Sequence, residues 1–174
     1  EHIAAETELP VVLYNVPGRT ACDLKPETVA KLAPNPKIVG IKEATGDVSR
    51  VPQLRELCGE DFLLYSGDDA TSMQFCLDGG DGSISVTANV APKEMHEMLM
   101  TAAEGKAAEA KSINEPLLAL HDDLFLESNP IPAKWVLHRM GLVKEGIRMP
   151  MTWLDSAYVS PLEKAMEKAG IALP

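Results

Sequence analysis

The chain has 174 residues, 45% of them hydrophobic and 24% charged, which is enough apolar material to bury a core and too much for a disordered chain. Sixteen basic residues against 26 acidic ones give a formal net charge of -10; with no basic excess to displace counterions, neither nucleic acid nor an anionic membrane is expected as a partner. No apolar run reaches the roughly 18–20 residues a bilayer crossing needs, and Glu1-His2-Ile3-Ala4-Ala5-Glu6 lacks the basic-then-apolar order of a signal peptide, so a cytoplasmic protein is expected.

The first residues read as the end of a helix with no initiator methionine, and an upstream portion is expected to be missing. Four short apolar runs follow: Val11-Val12-Leu13-Tyr14, Ile38-Val39-Gly40-Ile41, Phe62-Leu63-Leu64-Tyr65 and Ser83-Ile84-Ser85-Val86. Continuous apolar runs suit strands of a parallel sheet covered on both faces. Helical patterns separate them. Pro26 opens the first, Ser49 can cap 51–57, and Asp69 can cap 70–77, each by the residue preferences of helix N-termini. After the fourth run Pro92 opens a helix ending near Ala103, with Gly105 beyond it. Four βα units in succession imply right-handed crossovers and a parallel sheet.

From Lys106 the pattern is helical only: a long amphipathic helix over 106–126, then shorter ones over 133–140 and 161–169, with Asn129-Pro130-Ile131-Pro132 as a loop between the first two. The expected division is therefore 1–105 for the βα units and 106–174 for a helical domain. Four parallel strands fit either a small open sheet of the flavodoxin kind or the second half of an eight-stranded barrel of about 250 residues.

Cys22, Cys58 and Cys76 are widely spaced and odd in number, so reduced thiols are expected rather than disulfides or a structural zinc site. His2, His96, His121 and His138 have no partner at helical ligand spacing, and no metal is expected. Asp68-Asp69 reads as a helix cap and Gly79-Gly80-Asp81-Gly82 as a tight turn before a strand. Met95, Met98 and Met100 read as helix packing.

In both architectures chemistry gathers at the carboxyl ends of the strands. Lys42 follows Ile38-Val39-Gly40-Ile41 at the top of a buried strand, where an amine sheltered from water can attack a carbonyl. Position alone leaves open a strand-end lysine paired with a carboxylate such as Glu43. Tyr14 ends the neighbouring strand, at a spacing that would bring its phenol near Lys42 for proton transfer; a core aromatic is the alternative. Arg19 lies in the Pro-Gly turn above the strand ends, suited to bidentate capture of a carboxylate or to an ordinary surface position.

Taken together, Tyr14-Asn15-Val16-Pro17-Gly18-Arg19-Thr20, Gly40-Ile41-Lys42-Glu43-Ala44-Thr45-Gly46-Asp47, Ser66-Gly67-Asp68-Asp69 and Gly80-Asp81-Gly82-Ser83-Ile84-Ser85-Val86-Thr87-Ala88-Asn89 resemble the dihydrodipicolinate synthase family. The resemblance implies an α/β fold, a (β/α)8 TIM barrel of the class I aldolase type, here its second half followed by a C-terminal helical domain. It implies a lyase that condenses pyruvate with aspartate semialdehyde in lysine biosynthesis. By the same resemblance Lys42 forms the imine with pyruvate and Tyr14 shuttles protons. Arg19 binds the semialdehyde carboxylate, and Ile84 and Gly67 lie beside bound pyruvate. No cofactor is implied beyond the covalent imine, and a homo-oligomer, a tetramer built as a dimer of dimers, is implied as the assembly.

The family's first four βα units, with their part of the proton relay, have no counterpart here, so the isolated chain is expected to be inactive and its first strand to be an unpaired edge. N-acetylneuraminate lyase and the 2-keto-3-deoxy sugar acid aldolases share the lysine and tyrosine and remain alternatives, although Gly18-Arg19-Thr20 favours the synthase. A half-barrel without catalysis, docking onto the missing N-terminal half or onto itself, is the alternative of another class.

Overall fold

Backbone hydrogen bonds in the computed structural model, which describes residues 1–172, join four strands in the order β1-β2-β3-β4, every neighbouring pair parallel. They are β1 (Val11–Asn15), β2 (Ile38–Glu43), β3 (Leu63–Ser66) and β4 (Gly82–Ser83). Each crossover advances one place in the same direction, as in a barrel. A flavodoxin-like sheet would reverse its order at a switch point.

Helix α1 (His2–Ala5) precedes β1; α2 (Pro17–Thr20) and α3 (Pro26–Leu32) lead to β2, α4 (Arg50–Cys58) to β3 and α5 (Ser72–Leu77) to β4. The chain separates into two compact units. One comprises Glu1–Ile84 with Leu99–Ala107, the other Ser85–Met98 with the residues from Ala108 onward. The long helix α6 (Pro92–Ala103) contributes to both.

In the first unit the pleat sorts the side chains by face. Leu13, Ile41 and Leu64 share a register row, and Ile41 and Leu64 are fully buried among Ala4 of α1, Val29 of α3, Val51 and Leu54 of α4, and Phe75 of α5. Truncating either to alanine is worth about 2–5 kcal/mol of stability. The alternate positions point the other way, and there Val12 is 40% and Tyr14 53% exposed. Helices thus cover one face of the strands among the described residues, not both as the apolar runs suggested; the second row is interrupted by Tyr14, Lys42 and Tyr65, which a two-sided core would not accept.

Several element boundaries differ from the sequence expectation for identifiable reasons. The fourth strand ends at Ser83 rather than Val86. Its neighbour β3 stops at Ser66, whose carbonyl accepts from Ile84 N–H at 2.9 Å; the β3–β4 pairing ends at Ser66 and Ser83, and the chain turns into a 3-10 helix at Thr87–Asn89. Helix α4 begins where Ser49 predicted, but the Ser49 hydroxyl is held by Asp47 at 2.6 Å and caps nothing. Helix α5 has Thr71 at its N-cap, not the expected Asp69, and no side-chain cap bond; Asp68 accepts from the N–H and hydroxyl of Thr71 at 3.1 and 2.6 Å in the loop ahead of it.

The glycine turn before β4 is a packing requirement, since a Cβ on Gly80 would collide with the Phe75 ring. Asp81 in the same turn accepts from Leu64 N–H at 2.7 Å and pairs with Arg55 at 2.6 Å.

In the second unit the helix expected over 106–126 is three pieces: α7 (Ala107–Asn114), a 3-10 turn at Glu115–Leu117 and α8 (Leu118–Asp123). Pro116 has no N–H to donate and breaks the α-helical ladder there. Helix α9 (Ile131–Arg139) takes Ile131 and Pro132 into its first turn, where proline is tolerated. Helix α10 (Ser156–Lys168) starts five residues before Pro161, because Asp155 caps it by accepting from Ala157 N–H at 2.8 Å. Leu117, Leu120, Leu124, Leu162 and Met166 are buried, with α10 packed along α8. Met95 and Met98 are buried as expected of helix packing, whereas Met100 is half exposed.

The three cysteines are free: Cys22 exposed, Cys58 partly buried and Cys76 buried. Burial, with the charge of Asp81 adding, pushes the Cys76 thiol from 9.0 up to about 11. Its thiolate fraction at neutral pH is then lower by roughly 100-fold. Iodoacetamide on the native protein is expected to label Cys22 first and Cys76 only once denaturant is added; peptide mass mapping that finds Cys76 labelled as fast as Cys22 would contradict this packing.

Candidate active site

Lys42 and Glu43 are consecutive on β2, so the pleat sends them to opposite faces. Lys42 is half-buried and shares its row with its register partners, Tyr14 on β1 and Tyr65 on β3. Its Nζ lies 4.4 Å from the centroid of the Tyr14 ring, a cation–π distance. Glu43 is fully engaged on the other face, and among the described residues no carboxylate pairs with Lys42. The strand-end ion pair that sequence position left open is therefore absent among them.

Gly67 forms the wall beside the lysine stem. A Cβ there would fall 2.8 Å from Lys42 Cε and 2.7 Å from Ala44 Cβ, so any larger residue must displace the amine. Ile84 follows β4, tied by its N–H to Ser66, with a side chain 48% exposed. Arg19 sits in the last turn of α2, exposed, its guanidinium without an ionic or hydrogen-bonding partner among the described residues. The turn closes on Ala21, a non-glycine residue at φ 53°, whose N–H donates to Pro17 at 2.9 Å. A left-handed alanine costs free energy and is kept where the surroundings fix it. All five residues singled out from sequence, Lys42, Tyr14, Arg19, Gly67 and Ile84, belong to the first unit.

Behind this row lies a second one, buried at Asn15, Glu43 and Ser66, of which the sequence reading singles out only Glu43, as a partner for Lys42. Asn15, Glu43, Ser66 and Ser83 are register partners. The Asn15 amide donates to Glu43 Oε2 at 3.0 Å and to Asp23 Oδ1 at 2.9 Å, while its carbonyl oxygen accepts from Leu24 N–H at 2.9 Å. Glu43 Oε1 accepts from Thr45 N–H at 2.8 Å. Arg50, in the first turn of α4, holds Asp23 with two hydrogen bonds of 2.8 Å and stands 3.5 Å from Glu43. The available signal was spacing: Asn15 and Glu43 each follow a site residue by one, which places them together on the reverse face.

The Arg50 hydrogen bonds, with the Asn15 amide next, hold the Asp23 carboxyl far below its ordinary value of 3.8. The Arg50 guanidinium is raised in turn, chiefly by Asp23.

Comparison with known proteins gives this arrangement its setting. The model of the dihydrodipicolinate synthetase family matches residues 1–169. The chain belongs to the dihydrodipicolinate synthetase family. It is 57% identical over 169 residues to the 4-hydroxy-tetrahydrodipicolinate synthase of Methylococcus capsulatus and 55% identical over 170 to that of Pseudomonas aeruginosa. It spans 97–98% of itself but 58% of each of these relatives, consistent with a C-terminal portion. Among solved structures it superimposes on the chloride-inhibited dihydrodipicolinate synthase of Acinetobacter baumannii, crystallised with pyruvate, with a TM-score of 0.94 at 50% identity, covering 98% of this chain and 59% of that one. The fold is thus that of the second half of a synthase-family (β/α)8 barrel, with the family's helical C-terminal region. Relatives this similar carry the synthase name, which favours that reading over the sugar-acid lyases and aldolases. No helix among the described residues is long and apolar enough to cross a membrane, and none of their His, Cys, Asp and Glu side chains form a group of three or more placed for a metal ion.

A depressed carboxyl stabilises the fold above its unfolded value and loses that contribution as pH falls towards its folded value. Stability is therefore expected to decline as the pH drops below about 4, and Asp23→Asn to flatten that decline while lowering stability at neutral pH. Urea unfolding followed from pH 7 to pH 3 checks both; an unchanged slope in Asp23→Asn assigns the acid sensitivity elsewhere.

Proposed function

We propose that the protein acts as 4-hydroxy-tetrahydrodipicolinate synthase, condensing pyruvate with aspartate 4-semialdehyde through an imine on Lys42. The observation that carries this reading is a strand-top lysine with no paired carboxylate among the described residues, 4.4 Å from the Tyr14 ring, in a chain of the synthase family. The neutral amine adds to the pyruvate C2 carbonyl to give a carbinolamine. Loss of water then leaves the imine, and removal of a methyl proton converts it to an enamine whose terminal carbon attacks the semialdehyde aldehyde. Tyr14, beside Lys42, is the group suited to carry protons during carbinolamine formation and collapse.

Gly67 leaves room for the lysine stem, and Ile84, bonded to the carbonyl next to Gly67, lies beside pyruvate in this reading. Arg19 supplies a planar double donor for the semialdehyde carboxylate on a surface whose net charge would repel an anion. The imine makes any further cofactor unnecessary. The reading also carries a cytoplasmic location and a homo-oligomer, a tetramer assembled as a dimer of dimers.

Borohydride added with pyruvate to the native full-length protein is expected to leave a covalent adduct on Lys42 and on no other lysine, as read by peptide mass mapping; absence of an adduct there sinks the assignment. Gly67→Ala should slow trapping by about 10-fold or more through displacement of the amine. Arg19→Ala should raise the KM for the semialdehyde by roughly 10–100-fold, the loss of a charge-assisted pair, while trapping with pyruvate stays unchanged. An Arg19→Ala enzyme with unaltered semialdehyde kinetics would remove that residue from the site.

A further inference from the structure

Lys42 makes no hydrogen bond of its own among the described residues, so its aim depends on its strand, on the Tyr14 ring beside it and on the Gly67 wall against its stem. All three are tied to one residue. Glu43 follows Lys42 on the same strand, and its carboxylate, 2% exposed, accepts from Asn15, the residue after Tyr14. Its carbonyl oxygen accepts from the N–H of Gly67 at 2.7 Å. Its second carboxylate oxygen accepts from Thr45 N–H and so fixes the turn that leaves the strand. The backbone adds a parallel tie, Ala44 N–H donating to the Asn15 carbonyl at 2.9 Å.

We propose that Glu43 is the positioning residue of the lysine site: its carboxylate, on the reverse face of the sheet, locks the ends of β1 and β2, and its backbone carbonyl holds the turn after β3, setting the spacing between Lys42, Tyr14 and Gly67. The proposal rests on the imine chemistry assigned to Lys42 above. Arg50 completes the device. A carboxylate buried this far costs several kcal/mol unless it is matched by charge and hydrogen bonds, and Arg50, 3.5 Å from Glu43, supplies the charge while Asp23 fixes the guanidinium by two bonds.

Glu43 touches neither the amine nor anything on the open face, so its effect on the reaction is through geometry. Misplacement by about 1 Å at a reacting centre costs on the order of 100-fold in rate. That loss should fall on steps at the amine and not on the capture of substrates. Glu43→Gln keeps the shape and removes the charge that draws in Arg50 and the Asn15 and Thr45 donors.

The test uses the native full-length protein, pyruvate and borohydride, with single-turnover trapping at Lys42 measured per folded protomer. Glu43→Gln is expected to slow trapping and kcat by about 10–100-fold, with the KM for both substrates within about 3-fold and the folded fraction by circular dichroism unchanged. A merely structural role would lower the folded fraction and leave the trapping rate per folded protomer as in the wild type, and that result overturns the proposal. Should Glu43→Gln not fold, Arg50→Lys, which loses the double hydrogen bond to Asp23, decides by the same criterion: slowed trapping per folded protomer supports the proposal and an unchanged rate overturns it. A wild-type protein without an adduct on Lys42 would refute the imine reading itself, a different result from normal trapping in both variants.

Discussion

A carboxylate buried behind the sheet is the constraint on which the rest of this half-barrel turns. Glu43 stands where three chain segments meet, and its two oxygens accept from donors on two of them. Burying such a group is unfavourable unless every partner is in place, so the cluster is satisfied only in one register of β1 against β2. A one-residue slip would expose Ile41 and Leu64 and at the same time leave Glu43 without Asn15. Apolar packing and polar satisfaction therefore select the same alignment, and that alignment puts Tyr14 beside Lys42.

The two faces of the strands divide the work. Behind the sheet, helices α3, α4 and α5 pack Val29, Val51, Leu54 and Phe75 onto Ile41 and Leu64 and form the apolar core of the first unit. The other face carries a row of two phenols and an amine that contributes little packing and is half open to solvent. The imine chemistry proposed for Lys42 needs that separation. The same side chain pointed towards the helices would have met Glu43 and Arg50 and become one more member of an ion-pair cluster. The overall charge of -10 plays no visible part in the row itself; the local cations, Lys42 within it and Arg19 above it, are what an anionic substrate would meet.

Much of this was legible in the chain. The four apolar runs, the proline-opened helices and the polar strand ends were read in the correct order, because each depends on local composition and period. The helical tail was legible as helical but not in its joints. Pro116 divides a segment whose apolar spacing looks continuous, and Pro161 sits within a helix it was expected to open; a proline's position in a helix is set by the cap upstream, here Asp155, and by packing. The Asp68-Asp69 pair was read as the cap of the next helix, but Thr71 stands at its N-cap without a side-chain cap bond, and Asp68 instead holds Thr71 in the loop ahead of it.

The sequence by itself determined the family resemblance, the βα rhythm and the choice of five candidate site residues, since motif, period and residue chemistry are all carried in one dimension. Tertiary structure alone decided which side of the strand each of two adjacent residues would serve. Lys42 and Glu43 are neighbours in sequence and were a candidate ion pair; the strand pleat separates them by the thickness of the sheet, giving Glu43 to Asn15 and Arg50 and leaving Lys42 to Tyr14. Pairing across strands is a long-range choice, settled by which faces can be buried and which charges satisfied, and no single segment contains that information.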